Sequence, residues 1–175
     1  MKVATLGSCH SLNKGFSGWV SFMNLDYAQS LMNDLPILIS SSNGVPVYAH
    51  PGDAGCDLRS SHAAVIEPGE RLTVSTGISI AIPAGYVGLV HSRSGLAANH
   101  GVVVLNSPGT VDAGYRGEIR VTLLNTDKNK AFEVQPGDRI AQLLFQKIDI
   151  ARFIEVETLP ATERGENGFG STGSK

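Results

Sequence analysis

From Leu35 onward, apolar and polar residues alternate with a period of two, the period of strands and not of helices. Ile37 and Ile39 open the pattern, and Val45-Pro-Val-Tyr48 follows a Ser-Ser-Asn-Gly turn. Leu72, Val74 and Thr76 alternate, as do Ile78, Ile80 and Ile82, and Val87 to Val90 is a short apolar run. Ile119, Val121 and Leu123 continue the alternation, and Ile140, Leu143, Leu144 and Phe145 read as strand core. Turn signals recur at Glu67-Pro-Gly, Pro83-Ala-Gly, Ser107-Pro-Gly and Gln135-Pro-Gly-Asp. Such spacing predicts an all-β sandwich or jelly roll. Pro68-Gly-Glu-Arg71 and Pro136-Gly-Asp-Arg139 look alike and each leads into an apolar strand, a repeat of turn chemistry and not of a domain. Ser94 to Asn99 is the one stretch of the core with helical character.

Composition agrees with short strands and tight turns. The 175 residues suit one domain, 42% hydrophobic content supplies a sizeable core, and glycine and proline are plentiful while only 6% of residues are aromatic. The net charge of -2 and the lack of any lysine or arginine cluster argue against a nucleic-acid or anionic-membrane partner. Cys9 and Cys56 form neither a disulfide framework nor a Cys-x-x-Cys metal site, and the five histidines lack zinc-ligand spacing. A reducing cytoplasm fits this usage, and no apolar run approaches the roughly 20 residues of a membrane helix.

Residues 1–31 differ from the rest: five serines, scattered apolar residues and no acidic residue before Asp26. The transit-peptide pattern this suggests is undercut by the lack of arginine, with only Lys2 and Lys14 as cations. Met32, or Met23, would serve as an ordinary start. We therefore expect residues 1–31 to be a poorly structured extension of unknown role, residues 32–160 to form the core, and residues 161–175 to form a flexible glycine-rich arm.

Residues 106–120 carry the densest chemistry. Pro108-Gly109 and Ala113-Gly114 supply turn residues, and the stretch reads as a tight β-hairpin. Asp112 is a candidate base, Tyr115 a flat apolar plate with a polar tip, and Asn106 an amide that donates and accepts at once, as a nucleobase edge requires. The plainer reading makes Asp112 an Asx residue of its own turn, Tyr115 core and Asn106 a strand cap.

Four further stretches shift the balance. Gly109-Thr-Val-Asp112-Ala-Gly-Tyr115-Arg-Gly117 resembles the third signature of the dUTP diphosphatases, or dUTPases. Ala54-Gly-Cys-Asp-Leu-Arg-Ser60 resembles the first, with Cys56 where tyrosine is common, and His91-Ser-Arg-Ser-Gly-Leu-Ala97 the second, with Ser92 where proline is common. Gly137-Asp-Arg-Ile-Ala-Gln-Leu-Leu-Phe145 resembles the fourth, and Arg164-Gly-Glu-Asn-Gly-Phe-Gly-Ser-Thr-Gly173 the fifth. The last has the spacing of a P-loop from Gly165 to Gly170, but Ser171 stands where lysine is required.

The resemblance implies a homotrimer of jelly-roll subunits whose active sites draw on three chains, and hydrolysis of dUTP to dUMP and pyrophosphate with Mg²⁺. It implies that Asp57 holds Mg²⁺ through a bound water, and that Arg93, Ser94, Gly95 and Gln142 meet the phosphates. Asp112 activates the attacking water, Tyr115 lies against the deoxyribose, and Asn106 with backbone groups of Thr110, Val111 and Arg120 reads uracil. Phe169 stacks on the base, while Arg164, Gly170, Ser171 and Thr172 close on the phosphates from the arm. Cys56 reads as packing, Ser92 as a change that loosens its loop, Arg116 and Glu118 as structural ion-pair residues, and Arg139 and Asp138 as partners of their neighbours. A dCTP deaminase shares the general resemblance, but it would need an acid/base at the pyrimidine C4 and has no use for a uracil reader at Asn106 with Phe169 in a full arm.

Overall fold

The computed structural model describes residues 34–162 and 165, and among these it contains eleven strands and one helix. In chain order they are β1 (Leu38–Ser41), β2 (Gly55–Arg59), β3 (Ala64–Ile66), β4 (Arg71–Ser75), β5 (Ile78–Ala81), β6 (Tyr86–His91), α1 (Ser94–His100), β7 (Val102–Val104), β8 (Gly109–Val111), β9 (Arg120–Asn125), β10 (Phe132–Val134) and β11 (Arg139–Lys147). All pairings are antiparallel. A four-stranded sheet runs β2-β11-β6-β8 and a three-stranded sheet β4-β9-β7, with the pairs β1-β5 and β10-β3 beside them. This is the all-β, jelly-roll-like architecture that the period of two predicts.

The alternation sorts side chains between core and outside. Along β9, Val121, Leu123 and Asn125 are buried and the residues between them are not. Leu58 and Leu143 face this row from the four-stranded sheet, and all of these side chains retain 1% exposure or less. Burial of such apolar area is the main force that holds the two sheets together. Two of the buried polar groups tie the interior together: Thr76 Oγ1 donates to the Ile119 carbonyl at 2.6 Å, and Asn125 Nδ2 donates to the carbonyls of Ile66 and Lys130 at 2.9 Å each.

Three turns share one design. In Glu67-Pro-Gly-Glu70, Pro83-Ala-Gly-Tyr86 and Gln135-Pro-Gly-Asp138 the fourth residue's N–H bonds the first residue's carbonyl, and the glycines at 69, 85 and 137 hold φ of 76°, 84° and 88°. A side chain there would strain the backbone, so glycine at the third position is what makes each reversal cheap.

Two expectations change. Val45 to Tyr48 is not a strand: Pro46 has no N–H to give a ladder, and Val45 and Val47 stay exposed. Leu72, expected inside, is exposed as well: on the same face of the strand, only Val74 and Thr76 further along reach the core.

Candidate active site

Residues 106–120 do not form a tight hairpin. The antiparallel arms are β7 and β9, with Val104 opposite Leu123, and β8 lies within their connection. It crosses to the other sheet and pairs with β6, Thr110 opposite Leu89. Turn chemistry fixes local reversal but not the sheet that a segment joins, which is why the pattern alone misassigned the pairing. As the last strand of its sheet, β8 keeps one row of backbone N–H and C=O groups without a strand partner among the described residues.

That free edge borders a cleft of about 220 Å³ between the two sheets. Asn106, Thr110, Val111, Asp112, Tyr115 and Arg120 all line it, over a floor of Val90, Val104, Ile119 and Val121. The structure thus brings together six residues of the expected nucleoside set. Asp112 opens a turn closed by the Tyr115 N–H on its carbonyl at 3.0 Å. Its exposed carboxylate accepts no hydrogen bond among the described residues, so it is not the Asx residue of the plainer reading. Nor is Tyr115 core: it is 47% exposed, and its hydroxyl donates to the Glu118 carbonyl at 3.0 Å. A Cβ on Gly117 would meet the Tyr115 ring at 2.7 Å, so glycine there is what lets the ring lie down. The Asn106 amide lies over Gly109 in the same manner.

Arg116 and Glu118 do not pair with each other. The Arg116 guanidinium donates to the Ala113 and Tyr115 carbonyls at 2.6 and 2.7 Å, and Glu118 accepts the Gly77 N–H at 2.7 Å. Each fastens the loop to backbone instead, a use that an ion-pair reading of two nearby charges misses.

A second group gathers where β2, β11 and β6 run side by side. Gln142 stands opposite Asp57 on one flank and His91 on the other. Asp57 is only 7% exposed, yet both its oxygens are engaged: Arg93 Nε lies 3.3 Å from Oδ1 and Arg139 Nη1 3.4 Å from Oδ2. Arg93 also donates from Nη1 to the Arg139 carbonyl at 3.0 Å. Arg139 thus pairs with Asp57, 82 residues away in sequence, and not with a charge beside it in the chain. Arg93 precedes α1 and makes no side-chain cap; Ser94 and Gly95 follow it, exposed, on the first turn. The lining of the first cleft includes none of this second group.

Ser92 tightens its loop. Its Oγ accepts the Val104 N–H at 2.8 Å, and its own N–H reaches Ser107 Oγ at 3.4 Å. The hydroxyl therefore ties the loop before α1 to the segment that leads into β8.

Cys56 packs as expected, 4% exposed, with Sγ 3.4 Å from the Leu143 carbonyl. Burial pushes its thiol above the ordinary range, and the neighbouring Asp57 charge adds to the effect. Among the described residues no three His, Cys, Asp or Glu side chains gather as a metal cage. Asp57 is the buried carboxylate of the second group, but with both oxygens on arginines it could meet a hydrated Mg²⁺ only through water, and substrate phosphates would have to supply the ion's charged ligands. Arg164, Phe169, Gly170, Ser171 and Thr172 lie outside the described residues, as does the extension 1–31.

Comparisons with known proteins identify the family. The dUTPase family model matches residues 42–173. The deoxyuridine 5'-triphosphate nucleotidohydrolase of Leifsonia xyli is 56% identical over 140 residues, covering 80% of this chain and 90% of that one. Its counterpart in Bifidobacterium longum is 61% identical over 126 residues, covering 72% and 80%. Among solved structures, the Staphylococcus bacteriophage 80alpha dUTPase with dUpNHpp superposes with a TM-score of 0.72 at 32% identity, covering 81% of this chain and 99% of that one. A mutant dUTPase from phage phi11 of S. aureus, solved with a structural Mg(II) ion, gives 0.66 at 27% identity, covering 70% and 97%. With a match across residues 42–173 and relatives of this identity, the chain belongs to the dUTPase family.

Proposed function

We propose that this chain hydrolyses dUTP to dUMP and pyrophosphate, which keeps uracil out of DNA and supplies dUMP for thymidylate synthesis. The observation that carries the reading is the convergence of Asn106, Thr110, Val111, Asp112, Tyr115 and Arg120 on one cleft beside a free strand edge.

Uracil pairs with that edge as a short strand would, through backbone groups of Thr110, Val111 and Arg120, and the Asn106 amide completes the contact. Cytosine presents a donor where uracil presents an acceptor, so the wrong base leaves buried polar groups unpaired. Tyr115 packs against the deoxyribose and leaves no room for a 2'-hydroxyl. Asp112, whose carboxylate accepts no hydrogen bond among the described residues, takes a proton from the water that attacks the α-phosphorus in line. Arg93, Ser94, Gly95 and Gln142 hold the phosphates, and Arg93 neutralises charge that grows towards the leaving pyrophosphate. A bound Mg²⁺, held by Asp57 through water, supplies charge neutralisation and one fixed shape for the triphosphate. From the arm, Phe169 covers the base, and Arg164, Gly170, Ser171 and Thr172 close on the phosphates.

The working form is a homotrimer. Along the segment after β11, Ile148, Ile150, Phe153, Ile154, Val156 and Leu159 are 41%, 87%, 94%, 73%, 55% and 84% exposed, an apolar stretch that the described residues leave uncovered. Together with the division of the site into two separate groups, this supports active sites shared between subunits. We assign residues 1–31 to an extension, 32–160 to the core and 161–175 to the arm, and place the enzyme in the cytoplasm without nucleic-acid or membrane partners.

Pyrophosphate release from dUTP, dTTP, UTP and dCTP, each with Mg²⁺, tests the reading. Release from dUTP alone is expected. Release from none would reduce the chain to a binding protein, and equal release from all would remove the Asn106 and Tyr115 roles.

A further inference from the structure

Of the charged side chains near the second group, Arg139 has no part in the chemistry set out above. It stands at the first position of β11, beside a register irregularity, and its side chain keeps 45% exposure. The group it touches is almost fully buried: Asp57, with one oxygen on Arg139 and the other on Arg93. A buried carboxylate with a single cation at its side would form a closed pair and leave that cation little charge to offer. Two cations on one carboxylate leave the trio with a net positive charge, so Arg93 remains attractive to an anion.

Arg139 also fixes direction. Its backbone carbonyl takes one Nη1 hydrogen of Arg93, and Asp57 takes the Nε hydrogen. Two of the three guanidinium nitrogens are thus tied to rigid strands, and the hydrogens of Nη2 are left for a ligand. The planar fork cannot turn without breaking one of these contacts. A side chain with 22% exposure is thereby presented in one orientation.

We propose that Arg139 is a positioning residue that acts through Asp57: by sharing the Asp57 carboxylate it keeps Arg93 oriented, and the cluster around it net positive, towards the phosphate chain of the substrate. Arg139 makes no contact of its own with the substrate in this scheme. The inference rests on the proposed role of Arg93 in phosphate binding.

The test is a double-mutant cycle read by calorimetric binding of dUpNHpp and of deoxyuridine, with and without Mg²⁺, to the wild-type chain, Arg139→Gln, Arg139→Lys, Asp57→Asn and the double variant Asp57→Asn/Arg139→Gln. Arg139→Gln should weaken dUpNHpp binding about tenfold while deoxyuridine binding stays within about twofold, because only the phosphates meet Arg93. Arg139→Lys should restore part of the loss, since it returns the charge without the fork. In the Asp57→Asn background, Arg139→Gln should change dUpNHpp binding by less than about threefold, for the carboxylate that links the two arginines is gone. An undiminished loss in that background would show Arg139 acting on the substrate directly and overturn the inference. A matching loss of deoxyuridine affinity, or a fall in melting temperature of the same rank, would make the role merely structural and overturn it too. If wild type binds deoxyuridine but gains nothing from the triphosphate, the Arg93 reading itself fails, and the inference with it.

Discussion

The cleft beside β8 and the cluster around Asp57 are built from opposite materials. In the cleft, the groups that face a ligand are a strand edge and a carboxylate without partners among the described residues, an amide and an exposed tyrosine, all within residues 106–120. Around Asp57, the groups are charges fixed by ion pairs to one buried carboxylate and brought from β2, β11 and the loop after β6. A neutral base and sugar are discriminated by shape and hydrogen-bond pattern, for which backbone and a flat ring suffice. A triphosphate is held by charge, and charges keep a fixed geometry only when strands on several sides hold them. The comparison implies that damage to the first region should alter selectivity or turnover, and damage to the second should alter affinity for phosphate.

The largest effect should come from Asp112→Asn. It removes the only carboxylate of the cleft that carries no hydrogen bond among the described residues, and leaves every phosphate contact in place. We expect kcat to fall about 10³-fold while dUpNHpp affinity changes by less than about threefold. Equal loss of both would merge the two regions into one functional unit.

Next is Gly117→Ala. Gly117 does not sit in the left-handed region, so alanine tests only the contact with the Tyr115 ring, which the new methyl group would have to displace. The preference for dUTP over UTP, as a ratio of kcat/KM, should fall roughly tenfold while the melting temperature moves little. An unchanged ratio would detach Tyr115 from sugar discrimination.

The two regions were also unequally legible in the sequence. The members of the cleft are near neighbours in the chain, and the run Asp112, Tyr115, Gly117 already carries the relation between ring and glycine. The strand periodicity likewise foretold the core, since Val121 and Leu123 or Ile78 and Ile80 alternate as a half-buried sheet requires. What stayed hidden are relations across distance. That β8 leaves β9 for β6 depends on packing of the whole sheet, and that Arg139 meets Asp57 depends on a pairing 82 residues apart. The hydroxyl of Ser92 belongs here as well: its partner, the N–H of Val104, lies beyond a helix. Ser92→Ala should leave that N–H unpaired and lower stability by about 1 kcal/mol, read from urea unfolding. A stabilised variant would restore the view that the serine loosens the loop.

The smallest effect concerns Cys56, which borders the charged cluster without belonging to it. Its thiol ordinarily ionises near 9.0, and in the folded chain burial and the Asp57 charge raise that value. Below the ordinary value both folded and unfolded chains hold the proton, so the thiol has no pH-dependent effect on stability. As pH rises past it, the unfolded chain releases the proton while the folded chain retains it, and stability falls until the folded thiol also ionises. Melting temperatures of the wild-type chain should therefore decline more steeply above pH 9 than those of Cys56→Ala, with parallel curves below. Tyr48 is raised by its own burial and by Cys56, so its burial contributes to both curves, while the difference between them carries the thiol together with its charge effect on Tyr48. Parallel curves across the whole range would mean that Cys56 gains a partner for its thiolate on folding, in which case the cluster's positive charge extends further into the sheet than the two arginine contacts indicate.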